Sequence, residues 1–259
     1  MAGTRAGQTV QSVERALAIL KAFSAGEPEL SVAQLSRRLN LPKSTVSRLL
    51  STLEANGFVV QDAETGRFRL GAELIALVNS AVAGFQVHRV ARPHLRQLAD
   101  TVGETVSISV LDGRDAVNLE QFVPAHRLVM RVGWVGRRMP AHAVSVGKVL
   151  MAFLPAEELD RLLDNSLEAL TPHTITNPHT LRRELARVRQ QGYATAFEEL
   201  EEGLHAVAVP VRNHRGEVVA AISVSGPAYR LTRERIVEIV PQVTETAQRI
   251  SWEMGCAVS

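Results

Sequence analysis

Apolar residues in the first part of the chain recur at helical spacing and then switch to alternation. Val13, Ala16, Leu17, Leu20 and Phe23 make one amphipathic stripe, with Ser12 placed to cap it. A second helix is predicted after Ser31. Ser31 and Gln34 have the spacing of a capping box, and Leu35 and Leu39 lie on one face. Asn40 falls where the chain must turn, and asparagine accepts a left-handed backbone better than most residues. Pro42 suits the first position of a third helix, because the N–H it lacks would be unpaired there. In that helix Val46, Leu49, Leu50 and Leu53 point inward, leaving Ser44, Thr45, Ser47 and Arg48 outward near its start. Residues 58–61 and 67–70 then alternate like two strands about the turn Asp62-Ala63-Glu64-Thr65-Gly66.

The helix pair alone is equally a plain helical hairpin in a core. The strand pair behind it favours a winged helix-turn-helix. In such a unit the start of the second helix of the pair meets the major groove. Arg67 and Arg69 alternate with an inward Phe68, so both face out and, with Lys43, suit phosphates.

Farther on, residues 72–83 read as a helix with little charge, and 87–102 continue helically after Gly84. The first stretch is too apolar to stand in solvent. It packs either on the same helix of a second chain or on its own domain. From Thr105 the period becomes two: 106–111 and 116–123 form a hairpin about residues 112–115, and 127–132 a third strand. Helices follow at 143–154, 156–164 and 178–191, the last capped by Asn177 and stopped by Gly192. Residues 193–197 are a strand, 204–211 and 217–225 a second hairpin, and Thr232 caps a last helix running to about Met254. Strands at both ends with helices between suggest one antiparallel sheet flanked by helices.

The 259 residues allow two domains, and 46% hydrophobic content suffices for real cores. Net charge is only +2, but residues 1–70 hold 9 Lys/Arg against 6 Asp/Glu, so the positive excess sits in the candidate DNA-binding part. The single cysteine, Cys256, rules out an intrachain disulfide framework. No apolar run is long enough to span a membrane, and residues 1–10 read as a loose tail rather than a signal peptide. A cytoplasmic location is the expectation.

Two stretches carry possible small-molecule chemistry. In Met139-Pro140-Ala141-His142-Ala143-Val144-Ser145-Val146-Gly147-Lys148 a loop enters a helix among small residues. First-turn N–H groups are unpaired and partly positive, an anion site in waiting; close helix–sheet packing explains the small residues equally well. In Ile222-Ser223-Val224-Ser225-Gly226-Pro227 the two serines lie two apart on a strand, so both hydroxyls share a side. That side is either a ligand face or simply wet.

An enzyme is the rival class. None of the eight histidines pairs with a nucleophile, and His173 and His179 have poor metal-ligand spacing. Glu198, Glu199, Glu201 and Glu202 suggest a cation site less than a solvated loop. No catalytic residue, metal or cofactor is expected. A third class is a DNA-binding scaffold without a ligand.

Five segments in order, S-V-E-R-A-L-A-I-L, L-P-K-S-T-V-S-R-L-L-S-T-L, M-P-A-H-A-V-S-V-G-K, G-Y-A-T-A-F-E-E-L-E-E-G-L and V-V-A-A-I-S-V-S-G-P, resemble the IclR-type bacterial transcription regulators. The resemblance covers almost the whole chain. It implies an α+β protein: a tail (1–10), a winged helix-turn-helix (11–71), a linker helix (72–86) and a GAF-like α/β effector-binding domain with an antiparallel sheet (87–259). It implies a homodimer or dimer of dimers on operator DNA, answering to a small-molecule effector. It also carries over a pocket: backbone donors at Ser145 and Val146, the serine pair Ser223 and Ser225, and an apolar wall residue, Met139. Two positions depart from the family pattern. An acidic residue is common where Ala196 stands, and a cysteine where Ala206 stands. Methyl groups there make the pocket wider and less polar, which suggests a bulkier acid than a two- or three-carbon keto acid, such as an aromatic carboxylate.

Overall fold

The structure, a computed structural model, describes residues 10–23, 27–77, 86–124, 135–163 and 166–256. The chain divides into two compact units, residues 1–84 and 85–259.

The first unit has helix α1 (Gln11–Ala22), strand β1 (Glu29–Leu30), helices α2 (Val32–Leu39) and α3 (Lys43–Ala55), and strands β2 (Val59–Gln61) and β3 (Phe68–Leu70). Local chemistry sets the turn. Ser31 caps α2 with a full capping box to Gln34. Asn40 closes it at φ 52°, ψ 46°, the left-handed conformation its short polar side chain tolerates. Pro42 stands at the N-cap of α3, one position earlier than expected. Ile19, Phe23, Leu30, Leu35, Val46, Leu50, Val59 and Phe68 form the core. The wing gains an unforeseen strand: β1 pairs with β3, setting Leu30 opposite Phe68 and Glu29 opposite Arg69. The reading of α1 needs correction. Val10 is its N-cap, without a side-chain bond, and Ser12 lies inside the helix. Val13 and Leu17 are exposed (53% and 49%), while Ile19 is fully buried. Apolar residues cover more than one face of α1, and the buried face runs through Ile19 and Phe23. Of the linker, Ala72 is a turn residue and 73–77 are helical; 78–85 lie outside the described residues.

The second unit opens with helix α4 (Gln86–Val102), then β4 (Thr105–Asp112), β5 (Asp115–Phe122) and β6 (Arg138–Pro140). A 3-10 turn (Ala141–Ala143) leads into α5 (Ser145–Ala152), followed by α6 (Ala156–Leu163), α7 (Pro178–Gln191), β7 (Ala194–Phe197), β8 (Leu204–Arg212), β9 (Val218–Pro227) and α8 (Arg233–Glu253). The helix expected at 143–154 is thus shorter, with its 3-10 turn set apart. The strand expected at 127–132 falls outside the described residues; the third strand there is β6.

All neighbours in the six-stranded sheet β6-β5-β4-β9-β8-β7 are antiparallel. Side chains alternate across it, so its faces differ. Val106, Ile108, Val110, Val207, Val209, Val211, Ile222 and Val224 pack with α4 and α8 in one core. The other face carries Ala194, Ala208 and Ala221 against α5 and α7, in a second core with Met139, Leu181 and Leu185.

Candidate functional site

In the first unit Lys43, Ser44, Ser47, Arg48, Arg67 and Arg69 are exposed and Thr45 is half-buried. The start of α3 therefore presents hydroxyls and cations outward while Val46 and Leu50 bury the opposite face. Phe68 is buried between the two exposed arginines, as strand alternation requires. The two arginines are not equal: Arg69 has Glu29 as its cross-strand neighbour on the same face. Arg38 is taken up within the unit, bonded to the Ala22 carbonyl and paired with Glu27.

The second unit holds a cavity on the small-residue face of the sheet. About 90 Å³ of it is open to the centres of water-sized molecules. One water needs ~10–15 Å³ by that measure, so the space takes a ligand of several heavy atoms. Its walls include Met139, Ser145, Val146, Ala196, Ala206, Ser223 and Ser225. All the pocket positions carried over in sequence thus converge on one space, although they come from five elements.

The strand register explains the floor. Ala196 faces Ala206, Ala206 faces Ser225, and Ser225 faces Thr105. In the next row Ser223 lies between Ala208 and Ser107, and the Ser223 and Ser107 hydroxyls are 2.9 Å apart. Hydroxyls from β4 and β9 thus occupy the centre, with the alanine pair toward β7. Alternation in 106–111 was visible in sequence, but nothing local told a cavity from a wet surface.

The roof is the start of α5. Val144 stands at its N-cap with no side-chain bond, and the Lys148 N–H is the first to reach back, to the Val144 carbonyl at 3.0 Å. The N–H groups before it have no intrahelical acceptor, and no side-chain oxygen caps them. Ala143, Val144, Ser145 and Val146 bring that backbone to the cavity. Gly147 serves packing: a Cβ there would meet the Ala141 carbonyl oxygen at 2.2 Å. Both readings of the small residues therefore hold, at different positions. His142, buried and bonded through Nε2 to the Glu168 carbonyl at 2.9 Å, anchors the turn. Burial holds its pKa below the ordinary imidazole value, against the pull of that carbonyl.

Two ion pairs escaped the sequence reading. Lys148, 1% exposed, reaches Glu199 at 2.6 Å and the Thr195 carbonyl at 3.0 Å. The acidic run after β7 is therefore not simply a solvated loop: Glu199 is buried, and burial pushes its carboxyl pKa up while Lys148 pulls it down. At the cavity wall Glu104 receives the Arg230 guanidinium, whose pKa that bond raises. The carboxylate lies so near Gly226 that a Cβ there would sit 2.5 Å from Oε2.

A helix-turn-helix with a basic wing, joined in one chain to a cavity-bearing α+β unit, defines a DNA-binding transcriptional regulator rather than an enzyme. The IclR helix-turn-helix domain model matches residues 12–63, and the bacterial transcriptional regulator IclR C-terminal model matches residues 79–252. The chain belongs to the IclR family of transcriptional regulators. It is 36% identical to the regulator XynR of Escherichia coli K12 over 95% of this chain and 98% of that protein. It is 38% identical to the repressor AllR of Klebsiella pneumoniae over 95% and 90%. A transcriptional regulator from Rhodococcus matches with a TM-score of 0.82 at 33% identity over 95% of this chain and 98% of that one. An IclR homologue from Microbacterium hydrocarbonoxydans, solved in complex with 4-hydroxybenzoate, matches with a TM-score of 0.82 at 29% identity over 94% and 99%. Among the described residues no helix is long and apolar enough to cross a membrane.

Proposed function

We propose that this regulator is a cytoplasmic homodimer or dimer of dimers whose grip on operator DNA is set by a small carboxylate, of the size of an aromatic acid, in the cavity of residues 87–259. The acid group meets the backbone of Ser145 and Val146 and the hydroxyls of Ser223 and Ser225. Its ring or alkyl body takes the remaining space, bordered by Ala196 and Ala206 on one side of the serines and by Met139 on the other. What supports this reading is that hydroxyls, uncapped helical N–H groups and two methyl side chains line one space. The aromatic acid bound to the Microbacterium relative is in keeping with it.

On DNA, Ser44, Thr45, Ser47 and Arg48 read base edges from α3, while Lys43, Arg67 and Arg69 hold phosphates. Twofold symmetry of the dimer implies a near-palindromic operator. A ligand preferring one arrangement of the effector domains shifts the population toward it, and the linker, residues 72–86, passes that change to the winged unit (11–71). Calorimetry on the full chain with glyoxylate, pyruvate and benzoate, alongside fluorescence anisotropy on DNA flanking its gene, tests the reading. Benzoate should bind and alter DNA affinity. Tight binding of the short keto acids alone defeats the aromatic assignment; no response of DNA affinity to any bound acid defeats the sensor.

A further inference from the structure

The β4–β5 ladder is irregular at the cavity. Ser107 stands opposite Gln121, but Ser109, two residues on, stands opposite Asn118, three residues back. The extra residue is a β-bulge in β5. Without it, alternation from Gln121 would turn Leu119 and Val117 toward the cavity. With it, Leu119 and Val117 pack on the opposite core, and Asn118 lines the cavity.

Asn118 is only 2% exposed, and its Oδ1 has no hydrogen-bond partner. A buried amide left unpaired costs ~1–3 kcal/mol, so an irregularity that delivers one into a binding space calls for a partner there. The sheet order fixes its place. Asn118 is on β5, the central hydroxyls are on β4 and β9, and the alanine pair is on β7 and β8. The amide thus lies on the Met139 side of the serines, across from the alanine pair.

We infer that Asn118 receives a hydroxyl group of the effector, so that the ligand is a hydroxylated carboxylic acid and Asn118 determines that preference. The inference rests on the pocket reading above and deepens it. A hydroxyl suits the site because it both donates and accepts, and so pairs with either end of an amide. A plain acid leaves the buried amide unpaired, and sites built around a hydroxyl discriminate strongly against analogues that lack it.

Titration calorimetry on the full chain with matched acids tests this. The aromatic set is benzoate with 3- and 4-hydroxybenzoate, and the aliphatic set is propionate with lactate and 3-hydroxypropionate. In whichever set binds, at least one hydroxylated member should bind tenfold or more tightly than its parent. In Asn118→Ala the gap should shrink to within about twofold. Equal binding of parent and hydroxylated acids by the unaltered chain overturns the proposal even if the variant fails to fold. So does a preference that survives Asn118→Ala. A variant with a lower melting temperature but an unchanged preference would make Asn118 a structural partner of Ser109, whose own hydroxyl is buried and unpartnered. If only the aliphatic set binds, the aromatic assignment falls and the hydroxyl preference is judged there. Binding by neither set overturns both.

Discussion

Replacing Lys148 by methionine removes the cation from a pair almost wholly withdrawn from water. The partners are 2.6 Å apart and 1% and 8% exposed. The methionine fills the lysine stem, so the loss is chiefly electrostatic. Removing one partner of such a pair costs about 3–5 kcal/mol, because the other charge stays buried and uncompensated. Here the remaining charge can be discharged. The Glu199 pKa is already raised above the ordinary carboxylate value of 4.5 by burial, and Lys148 opposes that rise. Without the lysine it rises further, so the folded variant binds a proton that the unfolded chain releases. A carboxyl with a raised folded pKa adds stability as pH falls through that pKa toward the unfolded value. The penalty of Lys148→Met should therefore be large at pH 8 and shrink toward pH 5.5, by up to about 1.4 kcal/mol per pH unit. Glu199→Gln leaves the Lys148 cation buried without its carboxylate and should also cost stability. Lys148→Met with Glu199→Leu, which removes both charges, should recover much of the loss. Urea unfolding followed by circular dichroism at pH 5.5, 7 and 8 measures all of this. A pH-independent penalty for Lys148→Met, or a double variant weaker than either single one, would refute the reasoning.

On DNA, Arg48→Ala should relax operator preference with a loss of about 1–3 kcal/mol, read as competition between operator and scrambled duplexes by anisotropy. Arg67→Ala should weaken all sequences alike and lower the salt slope by about one. Arg69→Ala should do less, because Glu29 already lies beside it. His142 is held neutral by burial, so its contribution is present above the unfolded value near 6.5 and lost as pH falls below it. The melting temperature should drop less between pH 7.5 and 5.5 in His142→Asn than in the unaltered chain; an equal drop would assign the acid sensitivity elsewhere.

What the sequence reveals well is local. The capping box of Ser31, the left-handed Asn40, the Asn177 and Thr232 caps and the Gly192 stop each depend on residues a few positions apart. They stand as expected. What it hides is relational. In α1, Ile19 rather than Val13 or Leu17 meets the core, a choice set by packing partners and not by the helix's own pattern. The Lys148–Glu199 pair spans 51 positions, and a glutamate run gives no hint which member will be withdrawn from water. The bulge before Asn118 depends on how β5 is registered on β4, and period-two reasoning assigns the wrong residues to the cavity beyond it. Family resemblance is what groups these cavity-lining residues in the sequence, since spacing alone leaves both stretches open.

The cavity follows from a division of labour between the faces of one sheet. The same strands carry valine and isoleucine toward α4 and α8 but serine, threonine and alanine toward α5. Branched side chains bury one another and the helices at the first interface. On the second face Ser107, Ser223, Ser225, Ala196 and Ala206 are too short to span the distance to the next layer, and α5 closes that distance only in part. Gly147 lets the 3-10 turn lie against α5, and Lys148 and Glu199 tie the helix to the segment after β7. Near Ser225 the space therefore persists for want of side-chain volume, with hydroxyls and uncapped N–H groups at its surface. Such a surface favours water or a polar ligand over collapse. A cavity of this kind is written into the sequence as small residues on alternate strand positions, legible once the strands are known to share one sheet.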